Sequence, residues 1–427
     1  MLPHEKNIIN WRNGYKEVLA NWSESINPVQ KHYGELIKNS WQRAKYISRN
    51  LPFAQEKLVI CPPNSILNMA PNQQHRGDYG TGSFEGSSVE PVLDANNKIT
   101  GLNVILHAPR MARFVRSLHA RNVTLPMPIE QFAHSVLDLV AIHGADVVTN
   151  DDGTPTRAYI RPSAGPGVGA WGVTMKPGYY IEASNIVFRW GSYFPAEERI
   201  KKTGAHIMLN GTKRTFPITG KHASNYGAAA SDGGLARQLE YDEFTYLAPY
   251  GLKNGERDYG ITSLEDLLRY GVLADGPGEE IFAILKDETT LIYPSMHVNR
   301  LGGTVLDYVT KHLAPALGLK VCEQDITLEQ IRNGEIVGLG FAGNAVKITP
   351  IGKIDWVHCL NGQPTGKVET LVDFGVHPIV AKIRDQFAAE LSGKKPPSHE
   401  SLLTPIDLKW GQEFREYLDD YWRKLGF

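Results

Sequence analysis

The chain has 427 residues, enough for two or three domains of the usual ~100–200 residues each. Its 42% hydrophobic residues indicate an ordinary globular protein with a sizeable core. The 45 Lys and Arg residues balance 46 Asp and Glu residues, which leaves a formal net charge of −1. This balance provides no basic surface for nucleic acid or an anionic membrane, and neither is expected as a partner.

The cysteines and histidines argue against a metal site. Cys61, Cys322 and Cys359 are far apart and odd in number, so neither a disulfide framework nor a thiolate metal site is expected. The 14 histidines include no paired metal-binding motif. The polar N-terminus has no apolar signal core, and no run approaches the ~20 apolar residues of a membrane span. We therefore expect a cytoplasmic protein without a metal ion.

The N-terminal region predicts helices. Apolar residues recur at helical spacing from residue 5 to about residue 50, as in Ile9, Trp11, Tyr15 and Val18. Asn27-Pro28 marks a break between two amphipathic helices. We expect residues 1–57 to form a helical extension that covers the main body and carries no chemistry.

Short strands and helices alternate beyond Leu58. The β-branched and aromatic runs predict strands in KLVIC, ITGLNVILH, TRAYIRPS, YYIEASNIVFRW and AHIMLNG, with helices near 108–121 and 128–145. Further on, the pattern predicts helices near 228–240, 303–318 and 377–392, and strands near 244–249, 279–287, 290–295, 320 and 335–349. This order indicates an α+β or mixed α/β fold and not a strict βαβ series.

Two glycine-rich stretches resemble nucleotide loops only superficially. SAGPGVGAWG (163–172) lacks the spacing of a dinucleotide loop, and Trp171 crowds the position of a pyrophosphate. Gly220-Lys221 fails as a phosphate loop because Thr215 replaces its first glycine and His222 its Ser or Thr. The first stretch is better interpreted as a loop beside a pocket.

The segment TGKHASNYGAAASDGGLARQ (219–238) places Lys221 among small residues, five positions before Tyr226. Taken alone, a lysine is usually a solvated surface charge. Small neighbours, however, allow another molecule to approach the backbone closely, and burial lowers the pKa of a lysine so that its amine can form a Schiff base. A pyridoxal phosphate site would also require a carboxylate for the pyridine nitrogen and donors for the phosphate.

Several other segments of the sequence, taken in order, indicate whether such a site is present. They are DYGTGSFEG (78–86), HAPRMARF (107–114), AYIRP (158–162), FRWGSY (188–193) and GKHASNY (220–226). With these motifs the chain resembles the fold-type IV pyridoxal phosphate enzymes, and among them the branched-chain aminotransferases, from about residue 78 to residue 354. The tyrosine of K-x-x-x-N-Y argues against the D-amino-acid transaminase and aminodeoxychorismate lyase families.

The resemblance implies a two-domain fold like that of D-amino acid aminotransferase. The small α/β domain would span 58–188, the interdomain loop 189–196 and the large cofactor-binding domain 197–427. It also implies pyridoxal 5'-phosphate as the cofactor, with Lys221 as the catalytic Schiff-base lysine. The other cofactor-binding residues it implies are Arg113, Tyr226, Asp275, Gly303, Thr304 and Asn344. The substrate-binding residues it implies are Tyr79, Phe84, Tyr159, Arg161, Tyr193, Asn344 and Ala345.

The chain departs from the family pattern at several of these positions. Asp275 replaces the glutamate that holds the pyridine nitrogen, and Glu280 replaces an asparagine five residues later. The G-I-T-R run becomes Gly302-Gly303-Thr304-Val305, and Asn344 replaces a threonine. Residues 248–271 form an insertion before Asp275. These changes keep the cofactor site and leave the substrate open.

We therefore predict a pyridoxal phosphate-dependent aminotransferase that acts on an amino acid and a 2-oxo acid, with glutamate as amino donor bound through Arg161. The resemblance implies a homodimer. One alternative is a lyase or a specialised transaminase of the same fold with a non-branched substrate. Another is a non-catalytic scaffold, which the joint presence of Lys221, Tyr226, Arg113 and Asp275 disfavours.

Overall fold

The computed structural model describes residues 3–22, 46–51, 54–61, 80–166, 181–213, 220–360 and 362–424. The chain divides into two compact units: the first contains Met1–Gly191, Thr219–Ser224 and Leu403–Phe427, and the second contains Ser192–Ile218 and Asn225–Leu402. The C-terminal segment from Leu403 thus belongs to the first unit, whereas the sequence analysis placed it in the large domain. Lys221 also lies in a short segment of the first unit.

The elements up to residue 191 mix a helix at the start with strands and two later helices. They are α1 (Pro3–Trp22), β1 (Ile47–Leu51), β2 (Ala54–Cys61), β3 (Ser83–Phe84), β4 (Ser87–Leu93), β5 (Ile99–Ile105), α2 (His107–His119), α3 (Ile129–His143), β6 (Ala158–Pro166) and β7 (Ile181–Arg189).

The remaining elements continue the mixed pattern. They are α4 (Glu197–Thr203), β8 (Ala205–Lys213), α5 (Gly227–Gln238), β9 (Glu243–Lys253), β10 (Glu256–Asp258), α6 (Leu264–Tyr270), β11 (Gly271–Leu273), β12 (Glu280–Leu285), β13 (Thr290–Tyr293), α7 (Thr304–Tyr308), α8 (Ala314–Ala316), β14 (Lys320–Glu323), β15 (Ile326–Thr327), α9 (Leu328–Arg332), β16 (Ile336–Gly343), β17 (Lys347–Leu360), β18 (Gln363–Asp373), α10 (Pro378–Leu391), β19 (Leu403–Pro405) and α11 (Leu408–Lys424). A π-helical turn (Val309–Leu313) joins α7 to α8.

The first unit is built on one antiparallel sheet in the order β19-β5-β4-β6-β7-β1-β2, with β3 paired to β6. Helices α2 and α3 pack into its core, where the rings of Phe114 and Phe132 stack with centroids 5.5 Å apart. Helix α1 is tied to α3 at the buried Asp138, which accepts hydrogen bonds from Arg12 Nη2 at 2.8 Å and from Tyr15 Oη at 3.0 Å. The helix predicted at the N-terminus is thereby confirmed over residues 3–22.

The sequence analysis was wrong about the end of the N-terminal extension, because residues 47–51 and 54–61 pair as antiparallel strands β1 and β2. The second predicted helix, after Asn27-Pro28, falls mostly outside the described residues. The sequence analysis also omitted α11, which packs against α3. Gly411 permits this close approach, since a Cβ there would clash with the carbonyl oxygen of Ala141.

The second unit is built on a mixed sheet in the order β14-β13-β12-β16-β17-β8-β9-β11-β15. The pairs β17–β8, β8–β9 and β13–β14 are parallel, and the other neighbours along this order are antiparallel. Its buried core includes Phe341, Trp356 and Leu209. The mixed α/β class predicted from the order of elements is confirmed.

The insertion at 248–271 forms a hairpin followed by a helix. Strands β9 and β10 are joined at Asn254 and Gly255, whose φ angles are +55° and +80°. Two positive φ angles define the tight hairpin turn that Asn-Gly favours. Helix α6 follows, and its first turn is capped by the Ser263 side chain, which accepts a hydrogen bond from the Asp266 N–H. The insertion is therefore ordered and extends the second sheet.

Candidate active site

The backbone of Lys221 is fixed by two neighbouring elements of the first unit. Its N–H donates to Ser117 Oγ at 2.9 Å, and its carbonyl oxygen accepts from the Phe84 N–H at 3.1 Å. A Cβ on Gly220 would lie 2.5 Å from the Ser117 Cα, so only glycine permits this approach to α2. The origin of the lysine side chain is therefore held between helix α2 and strand β3.

The residues after Lys221 continue alongside the segment that precedes Phe84. His222 bridges Ser83, with 3.0 Å between His222 Nδ1 and Ser83 Oγ, and the Ala223 N–H donates to the Gly82 carbonyl at 2.9 Å. Burial lowers the pKa of His222 to about 4, with a smaller effect from Arg121. His222 is therefore neutral at physiological pH, and it anchors the segment without adding charge beside the lysine.

The amine of Lys221 is buried, with only 8% of the residue exposed, and Nζ lies 5.0 Å from the centroid of the Phe84 ring. Burial lowers the pKa of Lys221 to about 8, although the nearby Glu85 carboxylate opposes the shift and Arg113 adds to it. A substantial neutral fraction of this amine exists near pH 8. A neutral amine is the form that attacks a carbonyl, so the environment suits a nucleophilic lysine.

Arg113 is engaged by a buried carboxylate of its own unit. Arg113 donates from Nε to Glu85 Oε2 at 2.8 Å and from Nη2 to Glu85 Oε1 at 2.6 Å, and the Gly86 N–H donates to Oε1 at 2.9 Å. Burial alone would raise the pKa of Glu85, but the charges of Arg113, and to a smaller extent of Lys221 and Arg110, outweigh this effect and the pKa is lowered. The fork of Arg113, which the resemblance assigns to the cofactor phosphate, is here closed on Glu85.

Arg110 was missed by the sequence analysis and has a buried donor to spare. Its Nη1 donates to the Gly86 carbonyl at 2.6 Å and its Nε to the Ile105 carbonyl at 3.1 Å. Nη2 is buried and has no hydrogen-bond partner among the described residues. Burial lowers the pKa of Arg110 to about 10, so the guanidinium stays charged at neutral pH. The motif HAPRMARF contains both arginines, and sequence alone could not show which fork is occupied.

Arg161 lies between aromatic rings of the first unit. Its Cζ is 4.7 Å from the centroid of the Phe84 ring and 5.1 Å from that of Tyr159. Tyr159 in turn packs against Trp190, with ring centroids 4.8 Å apart. Arg161 Nε is buried without a hydrogen-bond partner, and no carboxylate of the described residues pairs with this arginine. The structure thus brings Phe84, Tyr159 and Arg161 together, as the resemblance implies.

In the second unit, Asp275 is buried, with 1% of the residue exposed. Its carbonyl oxygen accepts from the Tyr246 N–H at 2.9 Å and from Thr245 Oγ1 at 3.1 Å. An isolated β-bridge pairs Asp275 with Glu280. The backbone of Asp275 is therefore well fixed despite the insertion that precedes it.

Glu280 binds the turn that the resemblance assigns to the phosphate. Glu280 Oε2 accepts from the Gly303 N–H at 2.6 Å, and Oε1 accepts from the Gly302 N–H at 2.9 Å. The next residue, Thr304, is buried, and its Oγ1 has no hydrogen-bond partner among the described residues. The Gly303 amide is thus engaged by an internal carboxylate, whereas the Thr304 hydroxyl remains available.

Four of the five remaining candidate residues lie in or near turns of the second unit. The hydroxyl of Tyr193 donates to Glu243 Oε2 at 2.7 Å, and its pKa is raised by burial and by the carboxylates of Glu279 and Glu243. Tyr226 closes the 3-10 turn that precedes α5. Asn344 and Ala345 form the turn between β16 and β17. Tyr79 falls outside the described residues.

The part of the chain that the structure describes lacks two kinds of feature, a metal-binding group and a membrane-spanning helix. No group of His, Cys, Asp and Glu residues within the described ranges could hold a metal ion. Across those same ranges, no helix combines the length and the apolar character needed to span a membrane.

Solved structures show the fold of this chain, although no protein-family model matches its sequence and no curated protein matches it significantly. The T.th. branched-chain amino acid aminotransferase with pyridoxamine 5'-phosphate has a TM-score of 0.62 and 22% identity, and the match covers 85% of this chain and 98% of that one. The same enzyme complexed with N-(5'-phosphopyridoxyl)-L-glutamate has a TM-score of 0.61 at 21% identity, with the same coverage of 85% and 98%. The Escherichia coli branched-chain amino acid aminotransferase also has a TM-score of 0.61 at 21% identity, over 86% of this chain and 100% of that one. The chain therefore has the fold of the branched-chain aminotransferases, as the motifs predicted.

The lowered pKa of Lys221 predicts how its reactivity depends on pH. With trace amounts of acetic anhydride, labelling of Lys221 should rise with pH to a midpoint near 8. The exposed Lys201 is the internal control, because its hydrogen bond to Glu198 raises its pKa above 10.5. Mass spectrometry of peptides labelled at each pH gives both curves. A Lys221 midpoint equal to that of Lys201 would contradict the assigned environment.

The same shift has a defined effect on stability. Between pH 8 and 10.5 the folded chain has released the Lys221 proton, while the unfolded chain retains it. Since the unfolded state binds more protons in this window, the contribution of Lys221 to the free energy of unfolding rises with pH there.

Proposed function

We propose that the protein is a pyridoxal phosphate-dependent aminotransferase that moves an amino group between an amino acid and a 2-oxo acid. One observation carries the proposal: Lys221, the lysine of the K-x-x-x-N-Y motif, is buried with a pKa lowered to about 8. The fold shared with aminotransferases of known structure supports it. A homodimer in the cytoplasm is part of the same proposal.

The residues present fit the cofactor. Its phosphate needs buried donors, and Arg110 Nη2 and Thr304 Oγ1 are buried donors that have no partner among the described residues. Arg113 and the Gly303 amide are weaker candidates, because Glu85 and Glu280 already accept their hydrogen bonds. We therefore propose Arg110 as the phosphate donor that the first unit offers, and Thr304 with Asn344 as those that the second unit offers.

The ring of the cofactor requires two further groups. We propose that the buried Asp275 carboxylate keeps the pyridine nitrogen protonated and that Tyr226 donates to the phenolic oxygen. When bound, the cofactor supplies an electron sink for the charge left on the substrate Cα after its proton is removed. The carboxylate of Asp275 stabilises the protonated nitrogen and so strengthens that sink.

Lys221 is the group that moves the proton. Its neutral Nζ takes the proton from the substrate Cα and returns it to the product, which requires a pKa near the working pH. Burial supplies the lowered pKa, and the Glu85 carboxylate limits how far it falls. Nζ therefore releases a proton readily and can also hold one between the two transfers.

We further propose glutamate as the amino donor, bound through Arg161. The guanidinium lies against Phe84 and Tyr159 with a buried Nε that has no partner among the described residues. Such a site provides a cation for a side-chain carboxylate and an aromatic wall for an apolar substrate. The solved structure of the T.th. enzyme with a phosphopyridoxyl-glutamate supports this donor. Tyr79, Tyr193 and Ala345 remain proposed substrate contacts.

Replacement of Lys221 tests the proposed function. The native protein mixed with pyridoxal phosphate should show the absorption band of the lysine-bound cofactor, and Lys221→Ala should lose that band because its amine is absent. Lys201→Ala, which removes a surface lysine, is the matched control and should keep it. A band in Lys221→Ala that borohydride still reduces would refute the assignment. Analysis of the products then separates an aminotransferase from a lyase.

Arg161 should control the choice of donor. Loss of a charged hydrogen bond of about 1.5–3 kcal/mol predicts that Arg161→Met raises the KM for glutamate roughly 10- to 100-fold, with a much smaller effect on leucine. Arg161→Lys keeps the charge without the planar fork and should be intermediate. Steady-state kinetics with both donors measures the difference. Equal losses with glutamate and leucine would show that Arg161 binds the shared α-carboxylate or supports only the fold.

A further inference from the structure

We infer that Glu280 and Arg300 are positioning residues, which hold the Gly302–Gly303 turn so that Thr304 presents its hydroxyl to the anionic group of the ligand. This role rests on the proposed function, under which the anion is the cofactor phosphate. The buried ion pair thus replaces part of the phosphate-binding run of the family with a different set of contacts.

Both oxygens of the Glu280 carboxylate accept hydrogen bonds. Oε1 accepts from Arg300 Nη1 at 2.9 Å and from the Gly302 N–H at 2.9 Å, and Oε2 accepts from the Gly303 N–H at 2.6 Å. Arg300 is fixed in turn because its Nε donates to the Pro294 carbonyl at 2.8 Å. Only 2% of Glu280 and 5% of Arg300 are exposed. A buried pair is tolerated when its charges compensate and its polar atoms are satisfied, as they are here.

The two glycines belong to the same arrangement. A Cβ on Gly303 would clash with Glu280 Oε2, so the carboxylate and any larger residue at 303 exclude each other. Gly302 has a φ of +73°, a conformation that side chains disfavour. The turn therefore depends on both glycines as well as on the carboxylate that binds their amides.

A single rearrangement explains two of three departures from the family pattern. Glu280 stands in place of an asparagine, Gly303 in place of the isoleucine of G-I-T-R, and Val305 in place of its arginine. Glu280 requires the glycine for space, and its charge is compensated by Arg300, whose Nη1 donates to Oε1. Val305 is buried with 2% exposure and fills an apolar position. The changes at 280 and 303 are coupled through the Glu280 carboxylate.

The arrangement leaves one donor for a ligand. Glu280 uses the amides of Gly302 and Gly303, but the Thr304 hydroxyl, at the start of α7, has no partner among the described residues. Thr304 is only 6% exposed, and an unpaired buried hydroxyl lowers stability unless a ligand satisfies it. Glu280 acts on the anion through the position of Thr304 and not by contact.

Thr304 supplies the first test, by comparison of pyridoxal phosphate with pyridoxal, which lacks the phosphate. Thr304→Val should raise the Kd for pyridoxal phosphate roughly tenfold and leave that for pyridoxal unchanged, while Thr304→Ser restores the affinity. The thermal midpoint of the cofactor-free valine variant should equal or exceed that of the native protein, because an unpaired hydroxyl has been removed. A purely structural threonine would lower the thermal midpoint and weaken both ligands equally, which would overturn the inference.

Gly303 supplies the second test, which addresses Glu280 and Arg300. Gly303→Ala should raise the Kd for pyridoxal phosphate roughly tenfold in the native chain, where the new Cβ meets Glu280. The same change in a Glu280→Asn/Arg300→Met background should raise this Kd less than about twofold, since the carboxylate is gone. An equal rise in Kd in the two backgrounds would overturn the inference. If the background variant loses pyridoxal phosphate but keeps pyridoxal, the inference is supported directly.

The two ligands also separate this inference from the proposed function. If the native protein forms no Schiff base at Lys221 with either ligand, the proposed function fails. If the native protein binds both through Lys221, but the variants at 280, 303 and 304 do not change the preference for the phosphorylated ligand, only the inference about Glu280 and Arg300 fails.

Discussion

The candidate site depends on the burial of the Lys221 amine beside the ion pair that Glu85 forms with Arg113. Lys221 keeps only 8% of its surface, and its backbone is pinned to Ser117 and Phe84. Burial of a lone lysine would drive its pKa further down, but the Glu85 carboxylate opposes that shift. Arg113 in turn keeps Glu85 ionised. The three groups together give a buried lysine whose pKa is lowered to about 8.

Buried carboxylates also decide which hydrogen-bond donors remain available to an anion. Glu85 closes the fork of Arg113, and Glu280 binds the amides of Gly302 and Gly303. Arg110 Nη1 lies 4.0 Å from Glu85 Oε1, but Arg110 Nη2 and Thr304 Oγ1 have no hydrogen-bond partner among the described residues and are the donors proposed for an anion. Each unit of the chain thus combines an internal ion pair with buried donors that have no partner among the described residues, which is the pattern expected where a ligand completes the hydrogen bonding.

Much of this could be predicted from the sequence, because the motifs record local chemistry. Periodicity located most strands, and the spacing around Lys221 singled out a lysine that the structure shows to be buried. The pairing of Arg113 with Glu85 could not be predicted, since it depends on tertiary contacts across 28 residues of sequence. Strand β1 and the start of β2 were included in the predicted helical extension, whereas the KLVIC run at the end of β2 was predicted as a strand. The Asn254-Gly255 turn was a signal for the β9–β10 hairpin, but it was not used.

The central claim is that Lys221 is the residue that binds pyridoxal phosphate. The most direct measurement is to mix the native protein with one equivalent of pyridoxal phosphate, reduce it with borohydride, digest it and map the modified lysine by mass spectrometry. Binding at Lys221 predicts a single phosphopyridoxyl group on the peptide that contains this lysine. Modification spread over surface lysines such as Lys201, with Lys221 unmodified, would contradict it.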